Sequence, residues 1–427
     1  MALRKTLWLI ALLVCLPLRA QDSAEGRPAT TPPPPLQLGD LVREALERNP
    51  EIQAAGRSVD AKRARIPQAK AWPDPMISLG YGGNVVPPFA VMQGDPSSAR
   101  QFMAEQEIPF PGKTRLRGQI AAREAEAESH SVEEVARRVA AEVKEAYFDL
   151  YYTDQALATV REDRDILAKL AKVAEIRYSV GKAAQQDILR AQVELSRLTE
   201  RETLLEETRR TLEAQLNSLR DRPVDTPLGV TGEVRESPLV QTVDELQAAA
   251  EASFPALKRQ ETLVESNRLA VDLARKSVKP DFSIGYTYMQ RPGMPDMYGL
   301  TFSTSLPIFR HSKQDQAIRE AAENLASTRQ MKQNQLTVLR YRVKQEYLQA
   351  RAADRLLQLY AQGIVPQSRL TLESSLASYQ TGGIDFQTVL GNFTTILDYE
   401  LAYHQQLATH EKALARLEEL TGLELTK

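Results

Sequence analysis

Few residue types in this sequence could perform chemistry, and their spacing does not favour it. The histidines are His130, His311, His404 and His410. No two of them stand four residues apart, the spacing that places a metal-ligating pair on one helix face. The only cysteine is Cys15, and no nucleotide-binding fingerprint is present. The pattern predicts no catalytic residue, no cofactor and no metal centre, so we expect a protein that is not an enzyme.

Methionines are the one soft-ligand cluster. Met289, Met294 and Met297 lie in and beside a predicted inter-strand loop, and thioethers can bind soft ions such as Cu(I). Flexible packing of the loop is the alternative that we favour at this point. The glycines of Gly80-Tyr81-Gly82-Gly83 belong to a strand pattern and do not form a phosphate-binding loop.

The N-terminus has the features of an export signal. Arg4 and Lys5 precede a short apolar stretch, and a small-residue cleavage site follows at Ala20. Lipid attachment at Cys15 is disfavoured because Val14, rather than a small residue, precedes it. Without the signal the formal charge falls from −2 to −5, and a mildly acidic body gives no reason to expect nucleic acid as a partner.

A pattern of elements occurs twice, about two hundred residues apart. Asn49-Pro50 and Phe254-Pro255 each open a helix, and Arg177-Tyr178-Ser179-Val180-Gly181 is answered 201 residues later by Ser378-Tyr379-Gln380-Thr381-Gly382. Each copy is predicted to contain helix, strand, loop, strand, long helix, glycine turn and helix. The helix starts are 205 residues apart and the glycine turns are 201 apart. This near-constant offset favours an internal duplication.

The strands of each copy have one apolar face. Ile77, Leu79 and Tyr81 alternate with small or polar residues, the two-residue period of a strand. Segments of this type suit a sheet with lipid on one side and water on the other. A hairpin packed on a soluble core is the alternative. Almost no proline or glycine interrupts the stretches after each hairpin, which therefore predict helices on the order of 100 Å long.

The predicted organisation follows these patterns. A signal peptide covers 1–20 and a proline-rich linker covers 21–37, and a connector over 221–243 separates two repeats. The first repeat, 38–220, holds a hairpin at about 75–108 and helices at about 113–180 and 184–220. The second repeat, 244–422, holds a hairpin at about 281–307 and helices at about 312–379 and 384–421. A short tail, 423–427, ends the chain.

On the repeat and its glycine turns, the chain resembles the TolC-like outer membrane efflux proteins. The segment Gln106-Glu107-Ile108-Pro109-Phe110-Pro111-Gly112-Lys113 is similar to the cobalt–zinc–cadmium, heavy-metal branch. The resemblance implies a mainly α-helical fold with a small β part, in which long antiparallel helical hairpins form a periplasmic tunnel. It also implies a homotrimer in the outer membrane, in which four strands per chain contribute to a twelve-stranded barrel.

The resemblance further implies an efflux channel that passively conducts substrate, and partners comprising outer membrane lipid, a periplasmic adaptor and an inner-membrane pump, proton-driven in our expectation. In this family the glycine turns form the periplasmic tip, which gates the channel and contacts the adaptor. The candidate tip residues are Tyr178, Gly181, Asp187, Tyr379, Gly382 and Asp385.

Two questions stay open. Asp187 matches an acidic gate position, although helix capping is an equal alternative, and Asp385 is out of register with it. The function also has alternatives: the same duct could carry drugs or other organic compounds or a secreted protein, or the chain could be a soluble periplasmic helical scaffold or adaptor.

Overall fold

The computed structural model describes residues 36–83 and 91–426. The predicted signal peptide, most of the proline-rich linker and part of the first inter-strand loop lie outside these residues. Within them, the prediction of a mainly helical chain with four antiparallel strands is confirmed.

The first half of the chain runs helix, helix, strand, strand, helix, helix. Its elements are α1 (Leu38–Arg48), α2 (Pro50–Lys70), β1 (Met76–Gly82), β2 (Ala99–Ile108), α3 (Lys113–Ser179) and α4 (Gln185–Leu219). Pro50 occupies the first turn of α2, where a missing N–H costs nothing. The Asn49 side chain caps the same helix by accepting from the backbone N–H groups of Glu51 and Ile52.

The second half repeats this order. Its elements are α5 (Val243–Ser253), α6 (Pro255–Lys276), β3 (Phe282–Gln290), β4 (Met297–Thr304), α7 (Gln314–Leu359), α8 (Val365–Thr381) and α9 (Phe386–Thr421). A single π-helical turn, Tyr360–Ile364, joins α7 to α8. Val365 follows this turn and begins α8, and Pro366 is the next residue. Because proline has no N–H to donate, the regular helical ladder is interrupted there. The interruption thus widens one turn and does not end the helix.

The strands form one antiparallel sheet in the order β1-β2-β3-β4. Each half supplies a hairpin, and β2 pairs with β3 to join the hairpins, with Ala104 opposite Tyr286. Strand β4 ends at Thr304, although the sequence pattern continued its alternation to Leu306. The Ser305 N–H still donates to the carbonyl oxygen of Asp281, but the Asp281 N–H donates to the Ser305 hydroxyl instead of a backbone carbonyl. Pro307, two residues on, cannot donate to a ladder.

Helix α3 is the central helix and packs against α2, α4, α6 and α9. Its buried residues belong to separate apolar clusters. The one nearest the glycine turns contains Leu167, Leu170 and Ala174 from α3 and Phe386 and Phe393 from α9. With 67 residues, α3 spans roughly 100 Å at 1.5 Å per residue, so it runs from the sheet to the turns without interruption.

Residues 221–242 cross between the halves and are held by buried carboxylates. Asp154 of α3 accepts from the backbone N–H and hydroxyl of Thr231 at 2.9 and 3.0 Å. Glu411 of α9 accepts from the N–H and hydroxyl of Ser237 at 2.7 and 2.9 Å. Both helices therefore hold this connector by charge-assisted hydrogen bonds. No helix in the described part of the chain has the length and hydropathy to cross a membrane.

Candidate functional site

The two glycine turns have the same backbone geometry. Gly181 and Gly382 have φ values of 72° and 86°, in the left-handed region that glycine enters without a steric penalty. Each glycine N–H donates to the carbonyl of the tyrosine three residues before it, Tyr178 or Tyr379, at 2.9 and 3.1 Å. The following N–H closes the helix end in both cases, as in a Schellman cap. The repeated sequence thus folds into a repeated turn.

The side chains at the two turns differ. Tyr178 is exposed, whereas Tyr379 is buried and packs edge-on against Phe386 at 5.7 Å between ring centroids. Arg177, at the end of α3, reaches across to the second turn. Its guanidinium donates to the Tyr379 carbonyl oxygen and lies 4.5 Å from the centroid of the Tyr379 ring. Hence one residue ties the end of α3 to the end of α8.

The candidate acidic residues have different positions. Asp385 is the N-cap of α9 and accepts from the Thr388 N–H at 2.8 Å. Hydrogen bonding by the Thr388 side chain, and then by its backbone N–H, holds the pKa of the carboxyl below its ordinary value. Asp187 lies in the first turn of α4, whose N-cap is Ala184. The capping interpretation therefore applies to Asp385. Asp187 interacts with the helix dipole only from within the first turn.

Asp187 lies near the second turn. Burial raises the pKa of the Tyr379 hydroxyl, the Arg177 cation opposes this shift, and the Asp187 carboxylate adds to it. Arg177 and Tyr379 are in direct contact, and the Asp187 carboxylate is close enough to influence the Tyr379 hydroxyl. Tyr178 and Asp385 are exposed. Arg177 was not among the candidate residues. Its counterpart in the repeat is Ser378, so nothing in the local pattern indicated its role.

The sheet has two faces of opposite character. On one face, cross-strand rows such as Ile77–Ala104–Tyr286–Leu300 are apolar, and Leu79 and Leu300 are 83% and 80% exposed. The other face carries Ser78, Gly80, Gln101, Glu105, Glu107, Ser283, Gly285, Thr287, Gly299, Thr301 and Ser303, together with methionines. A contiguous exposed apolar surface of this kind indicates contact with lipid or another apolar partner.

A buried ion pair joins the strands to the helices. Lys113, the first residue of α3, is 4% exposed, and its Nζ donates to Asp281 Oδ1 at 2.9 Å and to the Lys279 carbonyl at 2.8 Å. Asp281 also accepts from the Phe110 N–H at 2.7 Å. The segment Pro109–Lys113, which the sequence linked to heavy-metal efflux, therefore lies at the junction between sheet and helices.

The two histidines on α9 have hydrogen-bonding partners within the fold. Both ring nitrogens of His410 face carbonyl oxygens, those of Ala350 and Ser237, and His404 Nδ1 faces the Tyr151 hydroxyl at 3.4 Å. Across residues 36–83 and 91–426, no group of three or more His, Cys, Asp and Glu side chains could hold a metal ion.

Comparison with known proteins adds the following findings. Residues 41–220 match the family described as "Outer membrane efflux protein". The chain is 24% identical over 420 residues to the "Cobalt-zinc-cadmium resistance protein CzcC" of Cupriavidus metallidurans, and the similarity covers 91% of this chain and 90% of that protein.

Solved structures share the fold at low sequence identity. The outer-membrane channel OprN superposes with a TM-score of 0.76 at 16% identity, over 90% of this chain and 89% of OprN. The outer membrane protein VceC of Vibrio cholerae superposes with a TM-score of 0.75 at 16% identity, over 90% of this chain and 96% of VceC. At such identities the likeness concerns the fold.

Proposed function

The chain belongs to the outer membrane efflux protein family, and from this premise we propose that it conducts heavy-metal cations out of the cell. It is an outer membrane efflux channel with a helical periplasmic extension, and it performs no enzymatic step. TolC-like channels act as trimers with an adaptor and an inner-membrane pump. In the proposal, a proton-driven pump supplies the energy and this chain supplies the passive conduit.

The open sheet supports a trimer. β1 and β4 are edge strands of a four-stranded sheet, and four strands are too few to close a barrel. Three copies would supply twelve strands, with β4 of each copy paired to β1 of the next. The exposed apolar face would then lie against outer membrane lipid, and the face rich in serine, threonine and glycine would line a hydrated interior.

The glycine turns support a periplasmic tip that gates the channel and contacts the adaptor. Tyr178, Gly181, Gly382 and Asp385 are exposed there and would meet the adaptor. Arg177 and Tyr379 would hold the two turns together, with Asp187 beside them as the acidic group at the constriction. A carboxylate at the narrowest point favours cations.

The metal substrate rests on one observation, the similarity to CzcC along 91% of the chain. That protein is described as conferring resistance to cobalt, zinc and cadmium. The similarity extends through both repeats, so it is not confined to the glycine turns.

The experiment is a growth-inhibition panel on a strain that lacks this protein, complemented by the wild-type chain. We expect selective sensitivity to zinc, cobalt and cadmium, with unchanged tolerance of detergents, dyes and antibiotics. Sensitivity to organic compounds alone would overturn the metal proposal and favour drug efflux. Recovery of the chain in the soluble periplasm, without heat-resistant oligomers, would instead favour a helical scaffold.

A further inference from the structure

Methionine is distributed unevenly in this chain. Of its eight methionines, all except Met1 and Met331 belong to the two hairpins and their loops. The four that lie in strands are Met76, Met103, Met289 and Met297.

All four strand methionines lie on the polar face of the sheet. Met103 lies opposite Ser78 and Thr287, and Met76 lies opposite Glu105. No Leu, Ile, Val, Phe, Tyr or Trp shares that face in the described strands, and no methionine lies on the apolar face. Hydrophobicity alone would place methionine on the apolar face, because its side chain packs well among apolar groups. The sorting therefore indicates that the sulfur is used.

The four side chains form a connected path. Met289 and Met297 are directly opposite each other on β3 and β4, where Cβ atoms are about 5 Å apart. On β2, Met103 lies two residues from Gln101, which is opposite Met289. On β1, Met76 lies two residues from Ser78, which is opposite Met103. These diagonal neighbours are within reach of long side chains. The thioethers thus cross the sheet from the start of β1 to the start of β4.

Contacts within the path are polar and loose. The Gln101 side-chain amide donates to the Met289 sulfur at 3.8 Å, so this sulfur already acts as an acceptor. Met297 is 47% exposed and Met103 is 37% exposed, which leaves both side chains free to reorient. Methionine has three rotatable bonds, and neighbouring sulfurs can converge on one ion.

We propose that Met103, Met289 and Met297 form a binding site for a soft monovalent cation of the Cu(I) class, with Met76 as the next thioether along the sheet. Thioether sulfur selects such ions over zinc or cobalt. Conduction needs several binding sites that are each weak enough to release the ion, and a row of neutral thioethers meets this requirement. The inference rests on the proposed function for its place inside the channel, and it extends the substrates to soft monovalent ions.

The test is Ag(I) binding to the purified protein in detergent, in chloride-free nitrate buffer, by equilibrium dialysis with metal analysis. The variant Met289→Leu/Met297→Leu keeps side-chain volume and removes the opposed sulfurs. We expect its dissociation constant for Ag(I) to rise at least about tenfold, equivalent to about 1.4 kcal/mol. Zn(II) binding should not change.

Two controls make the result decisive. Met331→Leu replaces an exposed methionine on α7 and should bind Ag(I) like the wild type. Single-channel conductance in potassium nitrate shows whether the double variant assembles into a channel. If the double variant does not assemble, the single variants Met289→Leu and Met103→Leu are tested in its place. Equal Ag(I) affinity in wild type and assembled variants would overturn the site. Absence of metal sensitivity in the deletion strain would instead overturn the proposed function and leave the binding result intact.

Discussion

The Nζ atom of Lys113 lies 2.9 Å from Oδ1 of Asp281, so the first residue of the long helix in one half of the chain is paired with the residue that precedes the first strand of the other half. The Lys113 side chain is 5% exposed and that of Asp281 is 27% exposed. The pair lies where the first half changes from strand to helix and the second half changes from helix to strand.

Removal of one partner should destabilise this junction. Lys113→Met leaves Asp281 without its cation, and loss of one partner of a buried pair typically costs about 3 kcal/mol. We expect a lower temperature for dissociation of the oligomer, measured by heating before electrophoresis. Arg275→Gln is the control because it breaks an exposed pair with Asp272, which is worth under about 1 kcal/mol. Equal effects of both variants would contradict the structural role of Lys113.

The contact between Arg177 and Tyr379 should restrain the tip. Arg177→Ala removes a hydrogen bond and a cation–π contact, together worth about 2 kcal/mol. We expect a higher single-channel conductance in planar bilayers because the ends of α3 and α8 become free to separate. Arg197→Ala serves as the control, since the Arg197 side chain is 70% exposed and forms an ion pair with Glu194 of its own helix. A conductance that stays at the wild-type value would remove Arg177 from the gate.

The two acidic candidates can be separated by the same substitution at each position. Asp385→Asn keeps an N-cap residue, so conductance and cation preference should be unchanged. Asp187→Asn removes a carboxylate beside the second turn, and we expect cation selectivity to fall in reversal-potential measurements across a salt gradient. If Asp187→Asn retains wild-type selectivity, the acidic group at the constriction lies elsewhere.

Asp163 on α3 predicts a dependence of stability on pH. The residue is 8% exposed, and burial, with the Glu400 and Glu162 carboxylates, raises its pKa to about 7 against the opposing effect of Arg369. Because the folded state holds this proton more tightly than the unfolded state, the stabilisation is complete below about pH 4 and is lost as the pH rises to about 7.

In Asp163→Asn, the thermal unfolding midpoint measured by circular dichroism should therefore vary less between pH 4 and 8 than in the wild type. The variant should also be more stable than the wild type at pH 8. Each pKa unit corresponds to about 1.4 kcal/mol. Asp165→Asn is the control because Asp165 is exposed on the same helix. Parallel curves for the wild type and Asp163→Asn would show that this carboxyl does not carry the dependence.

The helices and strands could be predicted from the sequence, but the contacts between them could not. Long helices followed from the near absence of proline and glycine between Lys113 and Ser179, and the strands followed from two-residue alternation such as Phe282-Ser283-Ile284. These signals are local, so the residues that form an element carry them.

Contacts between the halves have no such local signal. Lys113 and Asp281 are 168 residues apart, and Arg177 reaches Tyr379 at a turn 202 residues away. The sorting of methionines onto one face became visible only with the register of β2 against β3. The positions of Asp187 and Asp385 also depended on where α4 and α9 begin, because capping requires the N-cap position itself.

The central claim is that three copies close their sheets into one channel, and disulfide cross-linking in intact cells tests it most directly. In a Cys15→Ser background, Ser78→Cys on β1 is combined in turn with Gly299→Cys, Thr301→Cys or Ser303→Cys on β4, since all four residues lie on the polar face. Ser78→Cys/Met103→Cys joins directly opposite residues within one chain and is the control. The account predicts covalent dimers and trimers for at least one β1–β4 combination, while the control forms its bond within the monomer. Monomers in every β1–β4 combination, with the control bond formed, would contradict it.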